Sequence, residues 1–329
     1  MPELRLHEPL VFAPFFRPQV WGGRRLAEAF GKPLPPEGPI GESWELSVQP
    51  LHVSQVSEGP WAGTTLQQLW DERRGELLGA ANSALPQFPW LIKWLDCREL
   101  LSVQVHPDDR TAQELLGEPF GKTESWVVVQ ADPTARIYAG LLPGVTREEL
   151  SARSGDGTVA ECLHSFVPHP GDCLHIPAGT VHAVGGGVLL AEVQQTSDAT
   201  FRLFDWNRVD AQGNPRPLHL ESALAAIDFS RGPVAPVVPQ KSDSQQPEML
   251  VRCPYYTLER IRLGGPWGIV LATLSAWMVL EGTARLRTSD GHYERVCRAG
   301  DVVLVPASVG SLEWQPIEGT PTLLAVTLP

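Results

Sequence analysis

Thiolate chemistry has little to work with in this sequence. Cysteine occurs five times, at Cys97, Cys162, Cys173, Cys253 and Cys297. The number is odd and there is no CxxC pair, which excludes a disulfide framework and a cysteine-ligated zinc knuckle; the residues read as buried thiols in a reducing compartment. Long apolar runs are equally absent: no stretch approaches the ~18 residues of a membrane span, and the first residues, MPELRLHEPLVF, put Glu3, Arg5 and Glu8 where a signal peptide would be apolar. A cytoplasmic protein is expected. Basic residues are outnumbered, 26 Lys and Arg against 38 Asp and Glu, for a net charge of −12. A surface this acidic repels nucleic-acid phosphates and anionic lipid heads, so neither nucleic acid nor membrane is an expected partner, and an anionic substrate would need a local basic pocket.

What is present is a composition for folding. Hydrophobic residues make up 43% of the chain and eleven are tryptophan, which excludes disorder, while 329 residues exceed what one core usually organises. Glycine (30) and proline (31) are spread between short β-rich runs, the punctuation of an all-β sandwich or barrel. Strands are expected at 43–48, 100–105, 125–130, 172–176, 187–194 and 200–205. Helices are expected at 64–79, with Leu66, Leu69, Trp70, Leu77 and Leu78 near helical spacing, at 108–116 and at 146–152. The stretch 231–247 has four prolines and a polar centre without periodicity, so it reads as a linker. Three domain-level segments follow: a larger domain over 1–235, a linker over 236–247 and a smaller β-domain over 248–329.

The smaller domain resembles a worn copy of the larger. SWVV at 125–128 matches AWMV at 276–279, Gly171-Asp172 with Pro177-Ala178 matches Gly300-Asp301 with Pro306-Ala307, and Leu189-Leu190-Ala191 matches Leu323-Leu324-Ala325, in the same order.

Polar residues stand out in two places. In LSVQVHPDD (101–109), strand alternation puts Ser102, Gln104 and His106 on one face and Leu101, Val103 and Val105 on the other, until Pro107 ends the strand. Taken alone this is equally a solvated strand face ending in a helix cap. In GDCLHIPAGTVH (171–182), a Gly-Asp turn, a strand and a Pro-Ala-Gly turn lead to His182. The spacing G-D-x4-P-x-G-x2-H resembles the second metal motif of the cupin jelly roll. By the same resemblance Gln104 and His106 occupy the two histidine positions of the first motif, with Glu124 as its carboxylate. An amide, two imidazoles and a carboxylate suit zinc or another borderline divalent ion with a position left for water or substrate. In the C-terminal copy, Glu124, His182 and Glu192 align with Ser275, Ser311 and Val326, so that domain is expected to be metal-free.

The blocks LIKWLDCRELLSVQVHPDD, GKTESW, PGDCLHIPAGTVHAVGGGVLLAEVQQTSDATFRLFDWNR and LHLESAL, in this order, resemble the short bacterial branch of the type I mannose-6-phosphate isomerases. The resemblance implies a mainly β protein, a cupin jelly-roll metal domain with helical insertions plus a second, smaller cupin-like β-domain. It implies a zinc-dependent aldose–ketose isomerase interconverting mannose 6-phosphate and fructose 6-phosphate through an enediol, with a sugar phosphate as its partner and one zinc per chain. Its metal ligands fall on Gln104, His106, Glu124 and His182. Its catalytic residues fall on Arg202, Glu192 and Lys122, and its substrate-binding residues on Lys93 and Ser102.

Such a reaction needs an electrophile for the oxygens, a base for the carbon proton and an anchor for the phosphate. Zinc would be the electrophile. Lys93, Lys122 and Arg202 offer the positive charge. The base is either Glu192 or a zinc-bound water or hydroxide, with Arg202 stabilising the enediolate. A structural ion pair between Glu192 and Arg202 is the plain alternative for those two residues. Two other functions compete: a catalytically silent sugar-phosphate sensor on the same scaffold, and an iron cupin oxygenase, against which stands Gln104 in the place of a ligand histidine.

Overall fold

In the computed structural model, which describes residues 5–79, 85–209, 213–238 and 246–329, strands dominate and helices are short insertions between them. Two antiparallel sheets face each other in the first part of the chain. One runs in the order Phe15–Gly23, Ile40–Leu46, Trp90–Cys97, Val188–Gln195, Glu124–Ala131, Cys173–Ile176. The other runs Phe201–Phe204, Val103–Val105, His182–Val184, Ile137–Leu141, Leu163–Phe166. This is the expected jelly roll.

The strands Ile40–Leu46, Trp90–Cys97 and Val188–Gln195 are buried along their whole length, so both faces of the first sheet are covered. Alternation sorts their side chains. Trp90, Ile92, Trp94, Leu189, Ala191 and Val193 enter a core shared with Tyr256, Met278, Leu304 and Leu324 of the C-terminal part. Leu95, Cys97, Val188 and Leu190 turn the other way and pack on Ile137, Ala139 and Val184 of the second sheet. By the same alternation Lys93 and Glu192 lie on this inner face, between the two sheets.

The expected strand at 100–105 begins only at Val103. Leu101 therefore departs from the expected alternation: it joins the inner core, whereas Val103 and Val105 face the helices Arg147–Asp156 and Leu220–Ala226. Leu101 and Ser102 precede the paired strand, so period-two counting does not carry back to them.

Helix starts follow local capping. Thr65 Oγ1 accepts from the Gln68 N–H (3.1 Å) while Gln68 Oε1 accepts from the Thr65 N–H (2.9 Å), a reciprocal cap for Leu66–Leu78. Its five buried residues are the five expected from the spacing. Asp108 caps Asp109–Leu116 and Thr146 caps Arg147–Asp156. The helix Arg25–Phe30 is too short to leave a periodic signature. No helix among the described residues is long and apolar enough to cross a membrane.

A third sheet is built from Glu248–Arg252, Thr257–Arg262, Ser311–Thr327, Ser275–Thr288 and Glu294–Arg298, with Trp267–Val270 and Val302–Val305 pairing off its path. Its pairing repeats that of the first sheet. Glu124 lies opposite Ile176 and Gln194, and Ser275 lies opposite Val305 and Thr327. The preceding turns match bond for bond: the Gly171 N–H donates to the Val128 carbonyl and the His169 N–H to Asp172, as Gly300 does to Val279 and the Arg298 N–H to Asp301. Both glycines have φ near +90°, a region that side chains disfavour. The register does correct one alignment. Trp126 faces Glu192 and its counterpart Trp277 faces Ala325, so Ala325, not Val326, stands in the place of Glu192. Of the linker expected over 236–247, residues 239–245 lie outside the described residues.

Candidate active site

Both motifs deliver their residues to one point between the sheets. His182 pairs with Gln104 across adjacent strands of the second sheet, and Glu124 opens a strand of the first. Gly179, at the Pro-Ala-Gly turn, has φ +84° and donates its N–H to the His106 carbonyl (2.8 Å), tying the two motifs together. His106, Glu124 and His182 are at most 1% exposed. His106 Nε2 lies 3.4 Å from Glu124 Oε2, and His182 Nε2 lies 3.3 Å from Glu124 Oε1. Among the described residues these three form the one group whose ligand atoms lie close enough together to hold a metal ion.

The far nitrogens of both rings fix their tautomers. His106 Nδ1 donates to the Ala199 carbonyl and His182 Nδ1 to the Thr180 carbonyl, each at 2.9 Å, which leaves both Nε2 lone pairs facing the carboxylate. Burial, and then Lys122, push His106 down to about 4, with Glu124 opposing. Burial also lowers His182. Burial would raise Glu124, but Lys122, His106 and His182 outweigh it and hold the carboxyl well below its usual range. Neutral imidazoles and an ionised carboxylate are the protonation states that a divalent ion requires. His106 Nε2 and both Glu124 oxygens are buried without a well-formed hydrogen bond, and buried polar atoms are seldom left so. The residues therefore fit a metal. Gln104 presents its amide nitrogen to His182 Nε2 at 3.3 Å; to serve as a fourth ligand it would turn its amide to offer Oε1.

A cavity of about 270 Å³ opens beside this cluster, and Gln104, Ser102, Lys93, Lys122, Glu192 and Arg202 all line it. Lys122 Nζ is 3.2 Å from Glu124 Oε2. Glu192 does not take Arg202 as its ion partner. Its Oε1 is 3.0 Å from Lys93 Nζ and its Oε2 accepts from the Trp126 indole N–H at 3.0 Å. Arg202 instead donates to the Pro217 carbonyl (2.8 Å). The reason is topological: Glu192 and Lys93 are cross-strand partners in the first sheet, while Arg202 belongs to the second.

Sequence reasoning missed Arg17, Glu42, Asp198 and Arg216, which also line the cavity. Asp198 accepts from Arg17 at 3.0 Å and lies 3.8 Å from Lys93. Glu42 lies 3.6 Å from Lys93 and accepts from the Trp44 indole N–H at 2.7 Å. Asp198 sits in a block that carried the resemblance, so a search of that block for uncancelled charge would have found it; Glu42 and Arg17 lie outside those blocks and had no such signal. His175, left out of the cluster by its position, bonds Ser125 Oγ instead (3.0 Å).

Comparison with known proteins agrees with this geometry. Residues 11–120 match the family model described as phosphomannose isomerase type I, catalytic domain. The mannose-6-phosphate isomerase of Streptococcus mutans is 34% identical over 311 residues, 94% of this chain and 95% of that one. The crystal structure of the mannose 6-phosphate isomerase from Bacillus subtilis superposes with a TM-score of 0.87 at 30% identity, covering 97% of this chain and 99% of that one. A mannose 6-phosphate isomerase bound with zinc and yttrium has a TM-score of 0.78 at 16% identity over 98% of this chain and 100% of that one, a likeness of fold alone. Identity of this extent, running nearly end to end through both motifs, places the chain in the mannose-6-phosphate isomerase family.

Proposed function

We propose that the protein interconverts D-mannose 6-phosphate and D-fructose 6-phosphate through an enediol, with one zinc ion held by Gln104, His106, Glu124 and His182. The observation that carries this reading is the buried His106–Glu124–His182 cluster with its unsatisfied atoms, beside a cavity that also holds a carboxylate, Glu192. Zinc would supply Lewis-acid stabilisation of negative charge on the sugar oxygens. Glu192 is the base: it takes the proton from C2 of the open-chain aldose and returns it to C1, while the hydroxyl proton passes from O2 to O1 of the enediol, giving the ketose. Lys93 and the Trp126 indole hold its two oxygens, fixing the carboxylate's orientation before substrate arrives. Arg202 faces the developing enediolate charge, and Lys122 steadies Glu124 while adding a second cation to the wall. Ser102 contributes a hydroxyl to the same wall.

The chemistry belongs to residues 1–235 in this reading, and the domain from 248 onward packs against it without a metal of its own. Holoenzyme given mannose 6-phosphate should form fructose 6-phosphate in a coupled assay, with glucose 6-phosphate as the control sugar. Zinc-loaded protein that binds the substrate without turnover would leave the sensor reading in its place.

A further inference from the structure

The cavity is electrically two-sided. Towards the first sheet, Lys93 is surrounded by Glu192, Glu42 and Asp198 at 3.0, 3.6 and 3.8 Å, so its charge is already matched. Around Arg202 and Arg216, which line another part of the wall, the balance reverses, counting Asp205 and Arg208 just outside the lining. Asp205 receives Arg216 through Nε and Nη2 (2.6 and 2.5 Å) and Arg208 through Nη2 (2.5 Å), and Arg202 is close enough to feel the charge of all three. One carboxylate against three guanidiniums leaves two positive charges over. Arg202 Nε and Arg208 Nη1 are buried without a hydrogen bond. Arg216 spends two of its five donors on Asp205 and, with Arg202, lines the cavity.

The backbone is built around this cluster. Trp206 and Asn207, between Asp205 and Arg208, have φ of +54° and +56°, the only non-glycine residues with positive φ among those described. Two consecutive left-handed residues are held only where surrounding contacts fix them. Here the Trp206 indole donates to the Leu101 carbonyl (2.6 Å) and the Arg208 N–H to the Asp205 carbonyl (3.0 Å).

We propose that Arg216, held in place by Asp205, anchors the substrate's phosphate, and that Lys93 is a positioning residue for Glu192 rather than a phosphate ligand. This rests on the sugar-phosphate reading above. A phosphate monoester carries a charge of about −1.5 to −2 at pH 7, matching the excess of two, and a planar guanidinium already fixed on one edge meets it with its remaining donors. Asp205 acts through Arg216: it fixes the guanidinium plane without touching substrate.

The test compares zinc-loaded wild type with Arg216→Gln, Arg216→Lys and Asp205→Asn by steady-state kinetics on mannose 6-phosphate and by calorimetric titration with inorganic phosphate. Arg216→Gln should raise KM and weaken phosphate binding about ten- to a hundredfold, the range for losing a charge-assisted hydrogen bond, with kcat changed much less. Arg216→Lys should recover part of the loss. Asp205→Asn should raise KM, and combining it with Arg216→Gln should add little further, because one interaction is removed twice. Melting curves and zinc content show that each variant is folded and loaded. An active wild type whose KM and phosphate affinity are unmoved by Arg216→Gln overturns the proposal. Should wild type bind phosphate through Arg216 yet fail to isomerise, the enzymatic reading falls and the anion site stands.

Discussion

Replacing Lys93 with methionine is the most informative single perturbation of this cavity. The side chain is 3% exposed and faces three carboxylates at 3.0, 3.6 and 3.8 Å. At an effective dielectric constant of about 20, each contact represents roughly 4–6 kcal/mol of gross attraction, most of it offset by desolvation. Methionine has nearly the same shape, so packing changes little. What remains is the penalty for stranding buried charge, about 3–5 kcal/mol when one partner is removed. The deficit should depend on pH in a definite way. Burial would lower Lys93, but the three carboxylates outweigh it and hold its ammonium above the usual range; the resulting stability is present below the unfolded value near ~10.4 and lost above it. Burial would raise Asp198, but Lys93, Lys122 and Arg17 outweigh it and hold the carboxyl below its usual range. Its stability is present above about pH 4 and lost as the pH falls further. Wild type and Lys93→Met should therefore differ most between about pH 4 and pH 10 and converge in acid. Denaturant unfolding at pH 3.5, 5, 7 and 8.5, at matched zinc content, measures this. A deficit below about 1 kcal/mol, or one that stays flat across that range, would refute the reasoning. Because Glu192 loses the group that orients it, kcat should fall more than KM rises.

Two further outcomes follow from the site. His182→Ala should remove both metal and activity while leaving circular dichroism close to wild type, since the fold is held by apolar burial; elemental analysis showing full zinc occupancy would show the ligand assignment to be wrong. Because burial and Lys122 push metal-free His106 down to about 4, zinc affinity measured by titration should gain little from raising the pH above about 5 as far as this imidazole is concerned, and should weaken once the pH falls below about 4, where protons compete for the ring. Arg202→Lys keeps the charge but loses the planar fork of donors, so kcat should fall well beyond any rise in KM, and an unchanged kcat would remove Arg202 from catalysis.

Period-two alternation and turn residues made the strands legible, because both operate over a few residues. Thus Glu124–Ala131 and Cys173–Ile176 fall within a residue of the segments expected, and Leu66–Leu78 buries the side chains that its spacing nominated. The His106–Glu124–His182 cluster was legible only through the resemblance to the two cupin motifs, since the 101–109 stretch taken alone reads equally as a solvated strand face. Partnerships between motifs were less so. Glu192 could be paired on paper with Arg202 as easily as with Lys93, since sheet order, which decides the matter, is set by strands about a hundred residues apart in the chain. The arginine cluster was hidden for a further reason. Arg216 reaches Asp205 from an irregular segment, where no periodicity announces which way a side chain will point.

The core shared by the first and third sheets bears on how the chain is made. Leu10 pairs with Leu304 through reciprocal N–H to carbonyl bonds, and Tyr256 Oη lies 3.0 Å from Oγ of Ser125, the residue after Glu124. During synthesis the early strands would leave the ribosome with Trp90, Ile92 and Trp94 only partly covered, by earlier residues such as Phe30 and Phe88, because the rest of their cover, Tyr256, Met278, Leu304 and Leu324, is among the last to appear. Folding cannot finish strand by strand as the polypeptide emerges. The apolar face of the first sheet must wait for its partner, and in that interval it is the surface that a chaperone would recognise.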